Sequence, residues 1–165
     1  MAARYIPVYT TGMFIKKVTD ALNKAGITYA LVGGYAVALH GVIRGTVDLD
    51  FVIALEQKQF DAVEKALQSI GLEPRLPISA NEVFQFREEY IEKRHLVEWS
   101  FANPANPLEV VDIIITHDAN QMKSDTLSVD GMTIQIATKD ALISMKKASG
   151  REQDLEDVAA LEKLL

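Results

Sequence analysis

Two aspartates separated by one residue, Asp48 and Asp50, stand at the start of an apolar run at residues 51–53. Residues two apart on a strand project from the same face, and a rise of ~3.3 Å per residue puts their Cα atoms about 6.5 Å apart. Carboxylates this close repel each other unless a cation lies between them. Magnesium takes oxygen ligands and is typically held by one or two carboxylates together with substrate phosphates. We therefore predict a Mg2+ site here, with Mn2+ as the alternative ion.

A third aspartate, Asp112, interrupts the apolar run of residues 110–115. A lone buried carboxylate costs several kcal/mol, so Asp112 requires a partner. If its strand lies beside the strand of the first two aspartates, the three carboxylates can hold two metal ions ~3.5 to 4 Å apart. The alternative is a structural aspartate that a backbone N–H or Arg44 satisfies. In that case Glu98 and Glu109 are the next candidates for the third carboxylate.

A glycine pair, Gly33-Gly34, separates a β-forming run at residues 27–32 from a helical pattern at residues 35–40. Glycine lets the backbone approach a phosphate closely, and the free N–H groups at a helix start favour an anion. We therefore predict that the pair holds phosphate, although a plain tight turn is the alternative. Arg44 and Thr46 precede the aspartates and are candidates for reaching the same phosphate, with an ordinary surface arginine as the alternative for Arg44.

The remaining candidates for chemistry are one basic cluster, one histidine and one aromatic pair. The densest basic cluster consists of Lys146, Lys147 and Arg151, and we predict that Lys146 contacts phosphate. The alternative is a favourable interaction with a helix C-terminus. His40 ends a short apolar helix and fits packing or capping better than catalysis. Trp99 and Phe101 alternate on a strand, which favours a place in the core over base stacking.

Hydrophobic periodicity and turn residues predict the elements that position these side chains. Helices are predicted over residues 12–25, 35–40, 56–70, 80–93, 138–148 and 152–165. Strands are predicted over residues 27–32, 49–54, 97–102, 108–115, 127–129 and 132–136. Asp130-Gly131 predicts a type I′ hairpin turn, and Thr138 is a candidate helix cap. The last helix is predicted to bury its apolar residues Leu155, Val158 and Leu161.

These elements predict an α/β (α+β) protein in which a mixed β-sheet is flanked by helices. No internal repeat or low-complexity linker is present in the sequence. We therefore expect one domain over residues 1–165, with a helical C-terminal segment at 138–165. The 165 residues, of which 48% are hydrophobic, are enough to form a sizeable core.

Composition limits the partners and the compartment. The 17 basic and 23 acidic residues give a net charge of −6, which disfavours binding along duplex nucleic acid because such binding requires a basic face. No apolar run reaches the roughly 20 residues that cross a bilayer. The chain has no cysteine, and residues 1–10 show no secretory signal, so we expect a cytoplasmic protein without a membrane partner.

The order of these motifs resembles the polymerase-beta-like nucleotidyltransferase superfamily. The resemblance rests on Gly33-Gly34, thirteen intervening residues, Asp48-Leu49-Asp50, and Asp112 as the later carboxylate. Residues 33–41 and 44–50 are most similar to minimal bacterial nucleotidyltransferases, which include toxin-type enzymes of abortive-infection and toxin–antitoxin systems. The basic and acidic tail at residues 146–158 also resembles these enzymes. The similarity is strong over about residues 27–54 and looser over 108–162.

The resemblance implies a nucleotidyltransferase-like fold and transfer of a nucleoside monophosphate, with release of pyrophosphate, by a two-metal mechanism. Asp48 and Asp50 then bind the Mg2+ on the nucleoside triphosphate, and Asp112 helps a second Mg2+ to activate an acceptor hydroxyl. The acceptor stays open between an RNA 3′ end, a protein hydroxyl and a small antibiotic-like alcohol. The alternative is a non-catalytic nucleotide-binding module, such as an antitoxin, that acts through a toxin–antitoxin partner protein. The nucleotide-binding candidates are Gly33, Gly34, Arg44, Thr46 and Lys146.

Overall fold

A computed structural model describes the chain over residues 9–165. The prediction that residues 1–10 contain no secretory signal falls mostly outside this range. Within the described range, none of the helices combines the length and the apolar character that a bilayer crossing requires.

Seven α-helices occur in the described residues, and most lie where apolar periodicity predicts them. In chain order they are α1 (Tyr9–Lys24), α2 (Gly33–Leu39), α3 (Gln57–Ser69), α4 (Ala80–Gln85), α5 (Arg87–Arg94), α6 (Lys139–Ser149) and α7 (Glu152–Glu162). Thr138 caps α6, as predicted, because its side chain accepts a hydrogen bond from the backbone N–H of Ala141. A 3-10 helix at Ala119–Gln121 completes the helical elements of this part of the chain.

Seven strands form one mixed sheet in the same described range. They are β1 (Tyr29–Val32), β2 (Leu49–Ile53), β3 (Glu73–Pro74), β4 (Glu98–Asn103), β5 (Asn106–Ile114), β6 (Ser124–Val129) and β7 (Met132–Ala137). Their order across the sheet is β3-β4-β5-β2-β1-β7-β6. The β1–β7 and β2–β5 pairs are parallel and the other pairs are antiparallel. The predicted mixed sheet flanked by helices is therefore confirmed.

The central strands place the predicted carboxylates side by side. β2 and β5 are parallel neighbours, and Asp50 stands directly opposite Asp112 in their register. β4 runs antiparallel to β5 on its other side, where Ser100 stands opposite Asp112. Because residues opposite each other on paired strands share a face, these three side chains form a row across the sheet.

The other face of the same strands is the hydrophobic core. Trp99 and Phe101 alternate with Ser100 along β4 and are 1% and 0% exposed, so their prediction as core residues is confirmed. Phe60 of α3 stacks on Trp99 with ring centroids 6.0 Å apart. The sheet thus buries one face under helices and presents the polar row on the other.

Three predictions about elements need correction. The helix predicted over residues 80–93 is two helices, because the chain turns at Phe86, whose φ of −105° and ψ of 18° are not helical. The two-residue strand β3 was not predicted, since it is defined only by its pairing with β4. Leu155 of α7 is 55% exposed rather than buried, and Asp154 and Asp157 occupy the inner face instead.

Candidate active site

A cluster of three carboxylates lies on the polar face of β2, β4 and β5. One oxygen atom from each of Asp50, Glu98 and Asp112 lies within 4.8 Å of the other two. Within the described part of the chain, these three residues form the group that could hold a metal ion. Asp112 is 5% exposed, whereas Glu98 is exposed to solvent. Glu98 precedes Ser100 by two residues on β4, so its side chain leaves the same face as the row.

The structure brings two of the three predicted aspartates into this cluster and adds a glutamate. Asp48 is exposed immediately before β2, and its charge acts on Asp50, Glu98 and Asp112 although it is outside the closest group. Glu109 lies elsewhere, because its Oε2 accepts a hydrogen bond from Asn103 at 2.8 Å.

Burial, followed by the neighbouring charges, changes the protonation of these carboxyl groups. Burial is the largest cause that raises the pKa of Asp50 to about 8, and the charges of Asp112, Glu98 and Asp48 raise it further. Burial also raises the pKa of Asp112, although a hydrogen bond of 2.5 Å from Ser100 Oγ opposes the rise. Without a cation, the cluster therefore keeps Asp50 largely protonated near neutral pH. An oxygen-only donor set that suppresses its own ionisation fits a hard divalent cation such as Mg2+.

The predicted glycine pair lies directly against this cluster. Gly33 begins α2 with a φ of +69°, a left-handed conformation that favours glycine. A Cβ atom on Gly33 would overlap the Asp50 carboxylate, and one on Gly34 would lie 2.9 Å from Arg44 Nη1 and 3.0 Å from Thr46 Oγ1. Both glycines are therefore required by the close approach of neighbouring polar side chains.

A pocket of about 280 Å³ joins the glycine turn to the predicted nucleotide-binding residues. Of the predicted site residues, every one except Asp112 lines it. They are Gly33, Gly34, Arg44, Thr46, Asp48, Asp50 and Lys146. Residues that are 113 positions apart in the sequence thus surround one space beside the carboxylate cluster.

The opposite wall of this pocket is formed by α6 and α7 and was only partly foreseen. This wall is lined by Lys146, Arg151, Asp154 and Asp157. The sequence indicated the two basic residues as members of a basic cluster, but it did not indicate the two aspartates. Asp154 and Asp157 are each 2% exposed. Their spacing of three residues, which continues to the buried Val158 and Leu161, was the available signal that this face of α7 points inward.

The histidine among the candidates has a structural contact. His40 Nε2 lies 2.7 Å from the carbonyl oxygen of Ala137 at the end of β7. This contact ties the end of α2 to the sheet, which agrees with the packing role that the sequence favours for His40.

The chain is similar to known proteins in sequence and in fold. Residues 14–161 match the sequence model of the aminoglycoside-2''-adenylyltransferase family. No curated protein sequence gives a significant match.

Solved structures share the fold over most of their length. Lincosamide antibiotic adenylyltransferase LnuA with bound lincomycin has a TM-score of 0.63 and 15% identity, and the match covers 94% of this chain and 98% of that one. ANT(2'')-Ia in complex with adenylyl-2''-tobramycin has a TM-score of 0.59 and 13% identity, with 94% and 93% covered. An antigenic nucleotidyltransferase-like protein from Paracoccidioides brasiliensis has a TM-score of 0.60 and 18% identity, with 96% and 79% covered. The nucleotidyltransferase-like fold predicted from the sequence is therefore confirmed.

Proposed function

The chain belongs to the aminoglycoside-2''-adenylyltransferase family and is a nucleotidyltransferase, and we propose that it transfers AMP from ATP to a hydroxyl group of a small molecule. The observation that carries the proposal is the convergence of seven predicted residues on one pocket beside the carboxylate cluster. The acceptor class is supported by two structural neighbours, one with bound lincomycin and one with adenylyl-2''-tobramycin. Both of those molecules are small, and the second carries the transferred adenylyl group.

The proposal assigns metal binding to the carboxylates on β2 and β5 and to Asp48, which directly precedes β2. Asp48 and Asp50 would hold the Mg2+ that accompanies the triphosphate, and Asp112 would hold a second Mg2+ near the acceptor, with Glu98 as a further oxygen ligand. Bound Mg2+ supplies neutralisation of the charge that develops on the phosphate oxygens and lowers the pKa of the acceptor hydroxyl. Mn2+ suits the same oxygen ligands.

The protein's own residues position the reactants. The Gly33-Gly34 turn allows the triphosphate to approach the backbone. Arg44 and Thr46 supply charge and hydrogen bonds to it, and Lys146 adds its positive charge from the pocket wall. The acceptor oxygen forms a bond to the α-phosphorus, while the bond from that phosphorus to the oxygen bridging to the β-phosphate breaks. Pyrophosphate leaves with this oxygen, and the hydroxyl proton passes to the carboxylate of Asp112. The hydrogen bond from Ser100 holds that carboxylate in place.

Labelled ATP tests the proposal. The purified protein is incubated with Mg2+ and ATP labelled at the α- or the γ-phosphate, in the presence of an aminoglycoside, a lincosamide, RNA or cell protein. We expect the α-label on a small alcohol and the γ-label in pyrophosphate. Asp48→Asn and Asp112→Asn should remove both signals, whereas Glu109→Gln, whose carboxylate lies outside the cluster, should retain them.

Two outcomes would contradict parts of the proposal. Label on RNA or protein would show that the acceptor is macromolecular. ATP binding without pyrophosphate release would favour the non-catalytic nucleotide-binding module. The carboxylate cluster favours catalysis over that alternative, and nothing in the family match supports a toxin–antitoxin partner protein.

A further inference from the structure

Two buried aspartates form part of the pocket wall that α6 and α7 contribute. Asp154 and Asp157 are each 2% exposed, and such carboxylates are costly unless they are paired and hydrogen-bonded. Lys146 of α6 contacts both, with Nζ 3.4 Å from Asp154 Oδ1 and 2.8 Å from Asp157 Oδ2. One ammonium group therefore contacts two carboxylates, and its single positive charge leaves one negative charge that requires a cationic partner from outside α6.

Arg44 supplies one such partner. Its Nη1 atom lies 2.6 Å from Asp157 Oδ2, although Arg44 comes from the segment before β2 and not from the two helices. A Cβ atom on Gly34 would lie 2.9 Å from the same Nη1 atom and 3.0 Å from Cζ, so the guanidinium group lies over the glycine turn. Asp157 thus holds Arg44 where the turn would present a phosphate.

Arg151 has the same relation to Asp154. Its Nε atom is 2.8 Å from Asp154 Oδ2, and its backbone N–H donates to the same oxygen at 3.2 Å. The Arg151 side chain is 78% exposed and lines the pocket. Its positive charge also acts on Asp50 and Glu98. The guanidinium group therefore lies within electrostatic reach of the carboxylate cluster.

We propose that Arg44 and Arg151 bind the triphosphate as a pair, and that Asp157 and Asp154 are positioning residues that each orient one of these arginines. Lys146 is the shared counter-ion that contacts both aspartates at this depth. A guanidinium group suits the task because its planar fork donates two parallel hydrogen bonds to phosphate and remains charged. The inference rests on the proposed function, because it places a nucleoside triphosphate in this pocket.

The direction of an affinity change separates positioning from plain electrostatics. Asp157→Asn or Asp154→Asn removes one negative charge near the pocket, so electrostatics alone would tighten the binding of an anion. Release of an arginine that competes for the aspartate would also tighten binding. Positioning requires the opposite result, since an arginine without its carboxylate loses the orientation that phosphate binding needs.

A double-mutant cycle measures this coupling for Asp157 and Arg44. The affinity for a non-hydrolysable ATP analogue with Mg2+ is measured by calorimetry for the wild type, Asp157→Asn, Arg44→Gln and the double variant. When Arg44 is present, we expect Asp157→Asn to weaken binding at least about tenfold, as for the loss of one charged hydrogen bond. In the Arg44→Gln background, the same substitution should weaken binding much less. Asp154→Asn and Arg151→Gln form the second cycle, with the same expectation.

Glu162→Gln is the matched control on the same helix. Glu162 Oε1 lies 3.2 Å from Lys147 Nζ, and both side chains are about half exposed and lie outside the pocket. The control loses a salt bridge between α6 and α7 but should keep the affinity of the wild type. A loss of affinity in this control equal to that of Asp157→Asn would show that the network only joins the two helices.

Several results would overturn the inference. Tighter or unchanged binding by Asp157→Asn, or the same loss in both backgrounds, contradicts positioning. If thermal melting shows that the aspartate variants do not fold, the ATP affinities of Arg151→Gln and Arg151→Lys test the inference instead. The Arg151 side chain is exposed, so these variants should fold, and Lys keeps the positive charge without the planar guanidinium group. We expect Lys to restore only part of the affinity, and wild-type affinity in both variants refutes the pair. Failure of the folded wild type to bind magnesium-ATP overturns the proposed function as well, whereas wild-type transfer with unaffected arginine variants overturns this inference alone.

Discussion

Binding of a divalent cation to the carboxylate cluster should release a proton that Asp50 holds in the cation-free protein. Burial is the largest cause that raises the pKa of Asp50 to about 8, and the charges of Asp112, Glu98 and Asp48 add to it. A cation among these oxygen atoms favours the ionised carboxylate and so reverses the effect of its neighbours. Asp50 must therefore lose its proton when the ion binds.

The size of this release follows from the pKa. With a pKa of about 8, the fraction of protonated Asp50 is about 0.9 near pH 7, about 0.5 near pH 8 and about 0.1 near pH 9. At each pH, the number of protons that Mg2+ displaces per protein molecule should equal this protonated fraction. The apparent affinity for Mg2+ should rise about tenfold per unit between pH 6 and pH 7 and should level off above pH 8.

Calorimetric titration with MgCl2 in two buffers of different ionisation enthalpy measures the release, because each proton taken up by the buffer adds its own heat. Ser100→Ala should increase the release at pH 7: burial raises the pKa of Asp112, and this variant removes the hydrogen bond that opposes the rise. Glu109→Gln is the matched control and should behave as the wild type. If Mg2+ binds at pH 7 with equal heats in both buffers, no proton is released and the raised pKa of Asp50 is contradicted.

Three further predictions concern the site and the fold. Asp50→Asn should abolish transfer. It should also raise the melting temperature of the cation-free protein more at pH 8 than at pH 5. The reason is that folding raises the pKa of Asp50, so this carboxyl group destabilises the folded protein increasingly as the pH rises from the unfolded-state pKa to the folded-state pKa. An equal change at both pH values would count against the raised pKa. Gly34→Val should weaken ATP binding more than it lowers the melting temperature, because its Cβ atom would lie 2.9 Å from Arg44 Nη1, and parallel losses would indicate general unfolding instead. In urea denaturation, Leu161→Ala should lower the free energy of unfolding by about 2–5 kcal/mol, because Leu161 is 0% exposed. Leu155→Ala should change the free energy of unfolding by about 0.5 kcal/mol or less, because Leu155 is 55% exposed. Similar losses in both variants would contradict the observed face of α7.

Local rules account for the features that residues close together in the sequence predict. β2 begins at Leu49 as predicted, directly after Asp48, and the alternation of side chains along a strand places Asp50 on the polar face of the sheet. Asp130 and Gly131 form the predicted hairpin turn, with φ values of 47° and 74°, because the type I′ turn needs positive φ at both positions. Each of these features depends on residues only a few positions apart.

The membership of the carboxylate cluster needed the tertiary structure. Asp112 was predicted from its place in an apolar strand, but Glu98 joins it only because β4 pairs antiparallel with β5 in a register that aligns Ser100 with Asp112. Strand order and register depend on contacts between segments that are distant in sequence. The sequence offered Glu98 only as a replacement for Asp112, because the residue types around Glu98 do not show which side chains lie beside it.

The inner face of α7 was also decided by tertiary packing. Apolar periodicity places Leu155 inside, whereas the structure buries Asp154 and Asp157 in its place. Those two carboxylates are stable there because Lys146 and Arg44 neutralise them from other elements, Arg44 from 113 residues away. Hydrophobic periodicity measures only how apolar a helix face is, and the pairing of charges between distant elements exists only once those elements have packed together.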